Sequence, residues 1–68
     1  MIEVKINGVK EEIVSGSTVS SILENREVRQ EMVAVEVNGE LVQKGKYATL
    51  ILEAGDEMEF LHYMAGGS

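Results

Sequence analysis

The residues with the clearest chemical potential stand at the end of the chain, in the run Ala65-Gly66-Gly67-Ser68. Adjacent glycines have no Cβ atom, so the backbone of such a tail is thin and conformationally free. A tail of this kind can thread a narrow channel and present a terminal carboxyl group to the active site of another enzyme. Gly-Gly-Ser also occurs in flexible linkers and cloning remnants, and this second interpretation stays open.

The other reactive side chains form no catalytic or metal-binding pattern. The chain has no cysteine, which excludes a disulfide framework, a thiolate zinc site and a cysteine nucleophile. His62 is the only histidine and has no second ligand at metal spacing, so we expect a surface or partly packed ring and no metal site. The hydroxyl residues between Ser17 and Ser21 lack a neighbouring histidine base, and helix capping explains them better than catalysis. We therefore expect the folded part to be a carrier surface and not an enzyme.

Composition predicts a single small acidic domain. The chain has 68 residues, of which 44% are hydrophobic, with one Phe, two Tyr and no Trp, so its core must be mostly aliphatic. A net charge of −6 argues against nucleic acid or anionic membranes as partners, and it serves either solubility or attraction of a basic protein surface. Charges at Glu3 and Lys5 interrupt the N-terminal apolar run, so we expect no signal peptide, and no apolar run is long enough to span a bilayer. We expect a cytoplasmic protein that is monomeric when free.

The first structural element predicted is a β-hairpin. Apolar residues stand at every second position from Ile2 to Ile6, which is typical of a half-buried strand. Asn7-Gly8 follows, and Asn-Gly between alternating segments favours a type I′ turn, because both turn residues need a positive φ. A two-residue loop then pairs Ile6 with Val9 and Ile2 with Ile13.

A short amphipathic helix is predicted to begin near Thr18. The run 15–18 interrupts the strand pattern and supplies a hydroxyl for the N-cap. Val19, Ile22 and Leu23 follow at the i, i+3, i+4 spacing of one helix face. A helix this short is not stable alone, so this face must pack on a sheet. The core residues expected to receive it are Val35, Met58 and Phe60.

The segments after the helix and its connection predict the rest of a sheet. The first is a strand over 33–37, which continues past Asn38-Gly39 at 41–42. A turn or short helical crossing over 44–47 follows, and then a short apolar strand over 50–52. The last is a final strand over 57–63. Together with the hairpin and the helix they predict an α+β fold in which one main helix packs across a small mixed sheet.

The final strand predicts a docking patch beside the tail. Met58 and Phe60 point to the core, whereas the opposite face begins with glutamates and becomes apolar just before the two glycines. Exposed apolar residues next to a flexible tail suggest a surface that a partner covers. Single apolar residues on a surface are also ordinary, which is the alternative. The predicted docking residues are Leu61, Tyr63, Met64 and Ala65.

Several short motifs, weak singly, become specific when taken in order along so short a chain. They are Gly16-x-Thr18-Val19-x-x-x-Leu23, the run Val33-Ala34-Val35-Glu36-Val37-Asn38-Gly39, Gly55-Asp56, and Ala65-Gly66-Gly67. In this order they resemble the ubiquitin-like sulfur carrier proteins, most closely the thiamine-biosynthesis branch, ThiS. The similarity covers the chain up to Gly67. It implies a β-grasp domain over residues 1–64 and a flexible diglycine tail over residues 65–68.

The resemblance also implies a reaction at the end of the tail. A ThiF-type adenylyltransferase would use MgATP to convert the Gly67 carboxylate into an acyl-adenylate. A persulfide sulfurtransferase would displace AMP and leave a thiocarboxylate on Gly67, with Gly66 as the required neighbour. Thiazole synthase, ThiG, would then take the sulfur for the thiazole ring of thiamine. The carrier itself would bind no cofactor.

Ser68 departs from the family pattern, because a mature carrier ends at its second glycine. Either a peptidase removes Ser68, or the residue was added in cloning, or this carrier differs from its family. Since the chain starts at Met1 and has no other linker residues, we expect a native precursor.

Related readings of the same tail remain open at this point. A MoaD-like small subunit of molybdopterin synthase has the same fold and tail, although such chains resemble this one less. A carrier for another sulfur acceptor would look nearly the same. A ubiquitin-like modifier joined to target lysines is disfavoured by the scarcity of lysine. A structural domain with an unrelated linker tail is the remaining alternative.

Overall fold

The computed structural model describes residues 1–63. Within these residues the chain forms, in order, β1 (Ile2–Ile6), β2 (Val9–Ile13), α1 (Val19–Asn25), a first 3₁₀ helix (Gln30–Met32), β3 (Val33–Val37), β4 (Glu40–Val42), a second 3₁₀ helix (Lys44–Lys46) and β5 (Glu57–His62). The strands make one sheet in the order β2-β1-β5-β3-β4. β1 and β5 run parallel and the other neighbours antiparallel, so the sheet is mixed. This confirms the α+β prediction and gives the β-grasp arrangement.

Both Asn-Gly pairs form the tight turns that the sequence predicts. Asn7 and Gly8 have φ values of 52° and 83°, and Asn38 and Gly39 have 53° and 83°, as a type I′ turn requires. The first turn pairs Ile6 with Val9 and Ile2 with Ile13, which confirms the predicted register.

Helix α1 begins where the sequence predicts, and the side chains of Thr18 and Ser21 cap its N-terminus. The Thr18 hydroxyl accepts a hydrogen bond from the Ser21 backbone N–H at 3.1 Å. The Ser21 hydroxyl in turn accepts from the Thr18 N–H at 2.9 Å. This reciprocal capping box satisfies donors that a helix start otherwise leaves unpaired.

The core lies between α1 and one face of the sheet. The helix residues Val19, Ile22 and Leu23 are buried together with Val35 and Met58, as predicted. Phe60 is only half-buried and packs at the margin of this cluster. The remaining buried residues are Val4, Ile6, Val33, Tyr47 and Leu52. Burial of Tyr47 is not predicted by the sequence, which indicates only a turn or short helical crossing over 44–47.

The prediction of a strand over 50–52 is wrong. Ile51 makes only an isolated antiparallel bridge with Thr18. The adjoining backbone bonds run from the Val19 N–H to the Leu50 carbonyl and from the Leu52 N–H to the Ser17 carbonyl. Because the partner segment turns into α1 at Val19, the pairing cannot extend into a ladder. Leu52 is nevertheless buried, so the segment anchors its loop to the core.

Strand β5, which leads to the tail, is also held by the two turn asparagines. The Asn7 side-chain oxygen accepts from the Phe60 N–H at 2.9 Å, beyond the last β1–β5 pair. The Asn38 side-chain oxygen accepts from the Glu57 N–H at 3.0 Å. Asparagine therefore serves two purposes in these turns: it tolerates a positive φ and it supplies an acceptor to β5.

Replacing Asn7 with Gly should lower the stability of the domain by about 0.5–1.5 kcal/mol, the usual net value of one hydrogen bond. Glycine accepts the turn conformation but has no oxygen for the Phe60 N–H. Asn7→Asp keeps an acceptor at the same place and should therefore lower the stability by less than Asn7→Gly does. Chemical denaturation of the three proteins compares the free energies of unfolding. Equal stability of Asn7→Gly and the parent would show that this bond contributes nothing.

Candidate functional site

The candidate site is built on β5, the middle strand of the sheet and the last strand before the described chain ends at Tyr63. β5 pairs with β1 only at its start, through Lys5–Glu57 and Ile6–Met58. It pairs with β3 along its whole described length, as far as His62 opposite Val33. The second half of β5 therefore projects beyond β1 and is supported on that side by the Asn7 side chain.

The face of the sheet opposite α1 is rich in glutamate, and the β1–β2 register also places Lys5 opposite Lys10 on it. The strand registers place two glutamate pairs directly opposite each other, Glu3–Glu12 and Glu36–Glu59. All four of these residues are exposed. Like charges at opposed positions destabilise a sheet, so each of these pairs costs folding free energy.

The glutamate-rich face becomes apolar where β5 approaches the tail. Leu61 is 75% exposed and Tyr63 is 50% exposed. Leu61 lies opposite Ala34 on β3, and Leu41, which is 70% exposed, lies opposite the next outward residue of β3, Glu36. The sequence predicts that Leu61 and Tyr63 are exposed, which is confirmed, but it does not point to the neighbouring Ala34 and Leu41. The signal was present for Leu41, because a two-residue turn at Asn38-Gly39 fixes its partner as Glu36.

A lysine lies at the point where the described chain ends. The Lys44 ammonium donates to the carbonyls of Gln30 and Val33, both at 3.0 Å. It also lies 4.9 Å from the centre of the Tyr63 ring and 5.7 Å from that of Tyr47. The sequence alone indicates no role for Lys44, since only the folded chain brings these segments together.

The rest of the predicted site lies outside the described residues. Met64 and Ala65, the other two predicted docking residues, are beyond Tyr63, as are Gly66, Gly67 and Ser68. Their assigned roles remain predictions.

Within residues 1–63, no three His, Cys, Asp or Glu side chains come together as metal ligands. Asp56 has a structural role, since its carboxylate accepts from the Asn38 amide at 3.0 Å and from the Glu53 N–H at 2.8 Å. His62 is exposed and contacts Phe60 edge-to-face, with ring centres 6.3 Å apart. No helix in the described part of the chain combines the length and apolarity needed to cross a membrane.

Comparison with solved structures gives proteins of the same fold. A crystal structure of the thiamine biosynthesis protein (ThiS) from Geobacter metallireducens superposes with a TM-score of 0.83 at 30% identity and covers 97% of this chain and 100% of that chain. A solution NMR structure of a thiamine biosynthesis protein from the same organism gives a TM-score of 0.79 at 28% identity, over 98% of this chain and 90% of that chain.

Comparison with characterised sequences gives two much longer proteins. The thiazole synthase of Magnetococcus marinus is 31% identical over 65 residues, which are 96% of this chain and 20% of that protein. The thiazole synthase of Paramagnetospirillum magneticum is 36% identical over 63 residues, which are 93% of this chain and 19% of that protein. This chain thus spans about a fifth of the length of the curated relatives it matches.

The family comparison covers nearly the whole chain. The model of the ThiS family matches residues 4–67, and so includes both glycines of the tail. This match agrees with the fold, with the relatives and with the motif order found in the sequence. The chain therefore belongs to the ThiS family.

Proposed function

We propose that this protein is a sulfur carrier for thiamine biosynthesis and that the carboxyl group of Gly67 is the working group. The observation that carries the proposal is the family match, which runs from residue 4 through both glycines. The similar proteins named as thiamine biosynthesis proteins and thiazole synthases favour this pathway over molybdopterin synthesis. Thiazole synthase is accordingly the proposed acceptor of the sulfur.

The chemistry begins with activation of an unreactive group. A Gly67 carboxylate oxygen attacks the α-phosphorus of MgATP on a ThiF-type adenylyltransferase, forming the acyl-adenylate and releasing pyrophosphate. The outer sulfur of a donor persulfide attacks the acyl carbon, and AMP leaves with its electron pair. A thiol then attacks the inner sulfur of the resulting acyl disulfide, which releases the thiocarboxylate on Gly67 and leaves a disulfide on the donor side.

The carrier contributes a docking surface and a narrow tail to this reaction. Leu61 and Tyr63 are exposed apolar residues beside the tail, and a partner that covers them removes apolar area from water. The opposed glutamates next to them would attract a basic partner surface and orient its approach. Two glycines in succession would let the activating enzyme close around the tail without meeting side chains.

The docking role of Leu61 is tested by adenylation of a form that ends at Gly67. Leu61→Glu should raise the KM for the carrier by at least tenfold, because docking would bury an unpaired charge, at a cost of about 1–3 kcal/mol or more. The fold should be unaffected, since Leu61 is largely exposed. The measurement is pyrophosphate release with a ThiF-type adenylyltransferase and MgATP.

The matched control is Val14→Glu, which places the same charge on another exposed apolar position, 66% exposed and beyond the end of β2 at the far edge of the sheet. Val14→Glu should leave KM unchanged. Equal KM values for Leu61→Glu and the parent would remove Leu61 from the docking surface. Absence of pyrophosphate release from the parent itself would contradict the proposed function.

A further inference from the structure

We propose that Lys44 is a positioning residue for the tail: its ammonium holds Tyr63 at the start of β3 and so sets the direction in which the chain leaves the domain toward Gly67. This inference rests on the proposed function, because direction matters only if the end of the tail is the reacting group. It concerns a residue that neither the docking surface nor the diglycine motif includes.

The contacts of Lys44 join three separate segments. Its ammonium donates to the Gln30 carbonyl in the first 3₁₀ helix and to the Val33 carbonyl in β3. An ammonium has three donors and no acceptor, and an aromatic ring face attracts it electrostatically. The Tyr63 ring is closer to it, at 4.9 Å, than the Tyr47 ring, at 5.7 Å. Lys44 therefore links the residue after β5 to the start of β3.

The position of Lys44 is itself constrained by the core. Tyr47 is buried, and its hydroxyl lies 3.4 Å from the same Val33 carbonyl that accepts from Lys44. The backbone bond from the Tyr47 N–H to the Lys44 carbonyl closes the second 3₁₀ helix between them. The Lys44 side chain thus starts from a backbone that is fixed by the core. Its contact with the Tyr63 ring therefore restrains the residue that follows β5.

Tyr63 also makes a backbone hydrogen bond to another described residue. Its backbone N–H donates to the Met32 carbonyl at 2.9 Å, one step beyond the last β3–β5 pair. A single backbone bond still permits the chain to pivot about it. The contact between the Tyr63 ring and the Lys44 ammonium is a second restraint. Together the two contacts limit the orientation of the backbone at Tyr63.

The length of the tail makes this direction important for chemistry. Four residues, Met64 to Gly67, reach at most about 14 Å from Tyr63 even when extended, so the position and direction of the chain at Tyr63 limit where Gly67 can be presented. A misplacement of about 1 Å at a reacting group can cost a hundredfold in rate. Leu61 stays paired opposite Ala34 whether or not Lys44 contacts Tyr63, so the main part of the docking surface is kept. Loss of the Lys44 contact should therefore slow adenylation more than it weakens the complex.

The test compares three substitutions in the form that ends at Gly67. Lys44→Met removes the charge and keeps the aliphatic stem, Lys44→Arg keeps a cation, and Lys46→Met alters a lysine of the same 3₁₀ helix. In pyrophosphate release with the adenylyltransferase, Lys44→Met should lower kcat about tenfold and leave KM for the carrier within about twofold. Lys44→Arg should restore most of kcat, and Lys46→Met should match the parent.

A second readout needs no partner enzyme. In ¹⁵N relaxation of the free protein, the amide order parameter of Tyr63 should fall in Lys44→Met and not in Lys46→Met. If the parent protein itself is not adenylated, the proposed function fails while relaxation still decides whether Lys44 restrains Tyr63. An unchanged order parameter or an unchanged kcat in Lys44→Met would overturn the inference. So would a rise in KM alone, or a loss of kcat that Lys44→Arg does not restore.

Discussion

A form of the chain that ends at Gly67 is expected to gain the mass difference of sulfur replacing oxygen when it is given its adenylyltransferase, MgATP and a persulfide donor. The match to the ThiS family extends to this glycine. A carboxylate resists attack until one oxygen becomes part of a good leaving group, and adenylation supplies that group. Intact-mass spectrometry measures the product directly, and omission of the persulfide donor should yield the adenylate in its place.

Two variants of the terminus separate the reacting group from its surroundings. The form ending at Ser68 should gain no sulfur at Gly67 until Ser68 is removed, because the Gly67 carbonyl is then part of a peptide bond. Gly67→Ala, ending at residue 67, should react at least tenfold more slowly, since a methyl group would obstruct a channel shaped for glycine. A form ending at Gly67 that acquires neither AMP nor sulfur with its own partner enzymes would contradict the carrier function and leave a small binding domain.

The local elements of this fold were predictable because their signals lie within a few residues. The Asn-Gly pairs require positive φ values and determine the registers of both hairpins. Thr18 and the i, i+3, i+4 spacing after it locate the start of α1. Alternation along β5 separates buried Met58 from exposed Leu61, which is why the exposure of Leu61 was predictable without coordinates.

The errors occurred where a distant partner decides the outcome. Leu50 to Leu52 has the composition of a strand, but its partner is the short approach to α1, and one bridge is all that forms. Tyr47 is buried with its hydroxyl 3.4 Å from the Val33 carbonyl of β3, a contact that no local pattern indicates. The strand order, with β5 between β1 and β3, is likewise a property of the whole chain.

The candidate site divides in the same way. The diglycine is visible in sequence because it needs no partner to be recognised. The contact between Lys44 and Tyr63 joins residues that are distant along the chain, and it exists only once β3 and β5 are paired. A sequence motif therefore reveals the proposed reacting group more readily than a contact between segments that are distant along the chain.

Replacing Leu23 with Ala is expected to destabilise the domain by about 2–5 kcal/mol, the usual range for a buried leucine. Leu23 is fully buried on the inner face of α1. A domain of this length has a total stability of about 3–10 kcal/mol, so the variant would lose a large part of it. Thermal unfolding measures the effect, since each kcal/mol lowers the Tm of a domain this small by about 4–8 °C.

Two further variants assign that loss to the cavity. Leu23→Met keeps most of the volume and should cost less than about 1.5 kcal/mol. Leu41→Ala removes the same atoms from a side chain that is 70% exposed, and should change the stability by no more than about 0.5 kcal/mol. An unchanged Tm for Leu23→Ala would show that α1 is not packed on the sheet as described. Because β5 carries the tail and buries Met58 in the same cluster as Leu23, loosening this core should also weaken the presentation of Gly67.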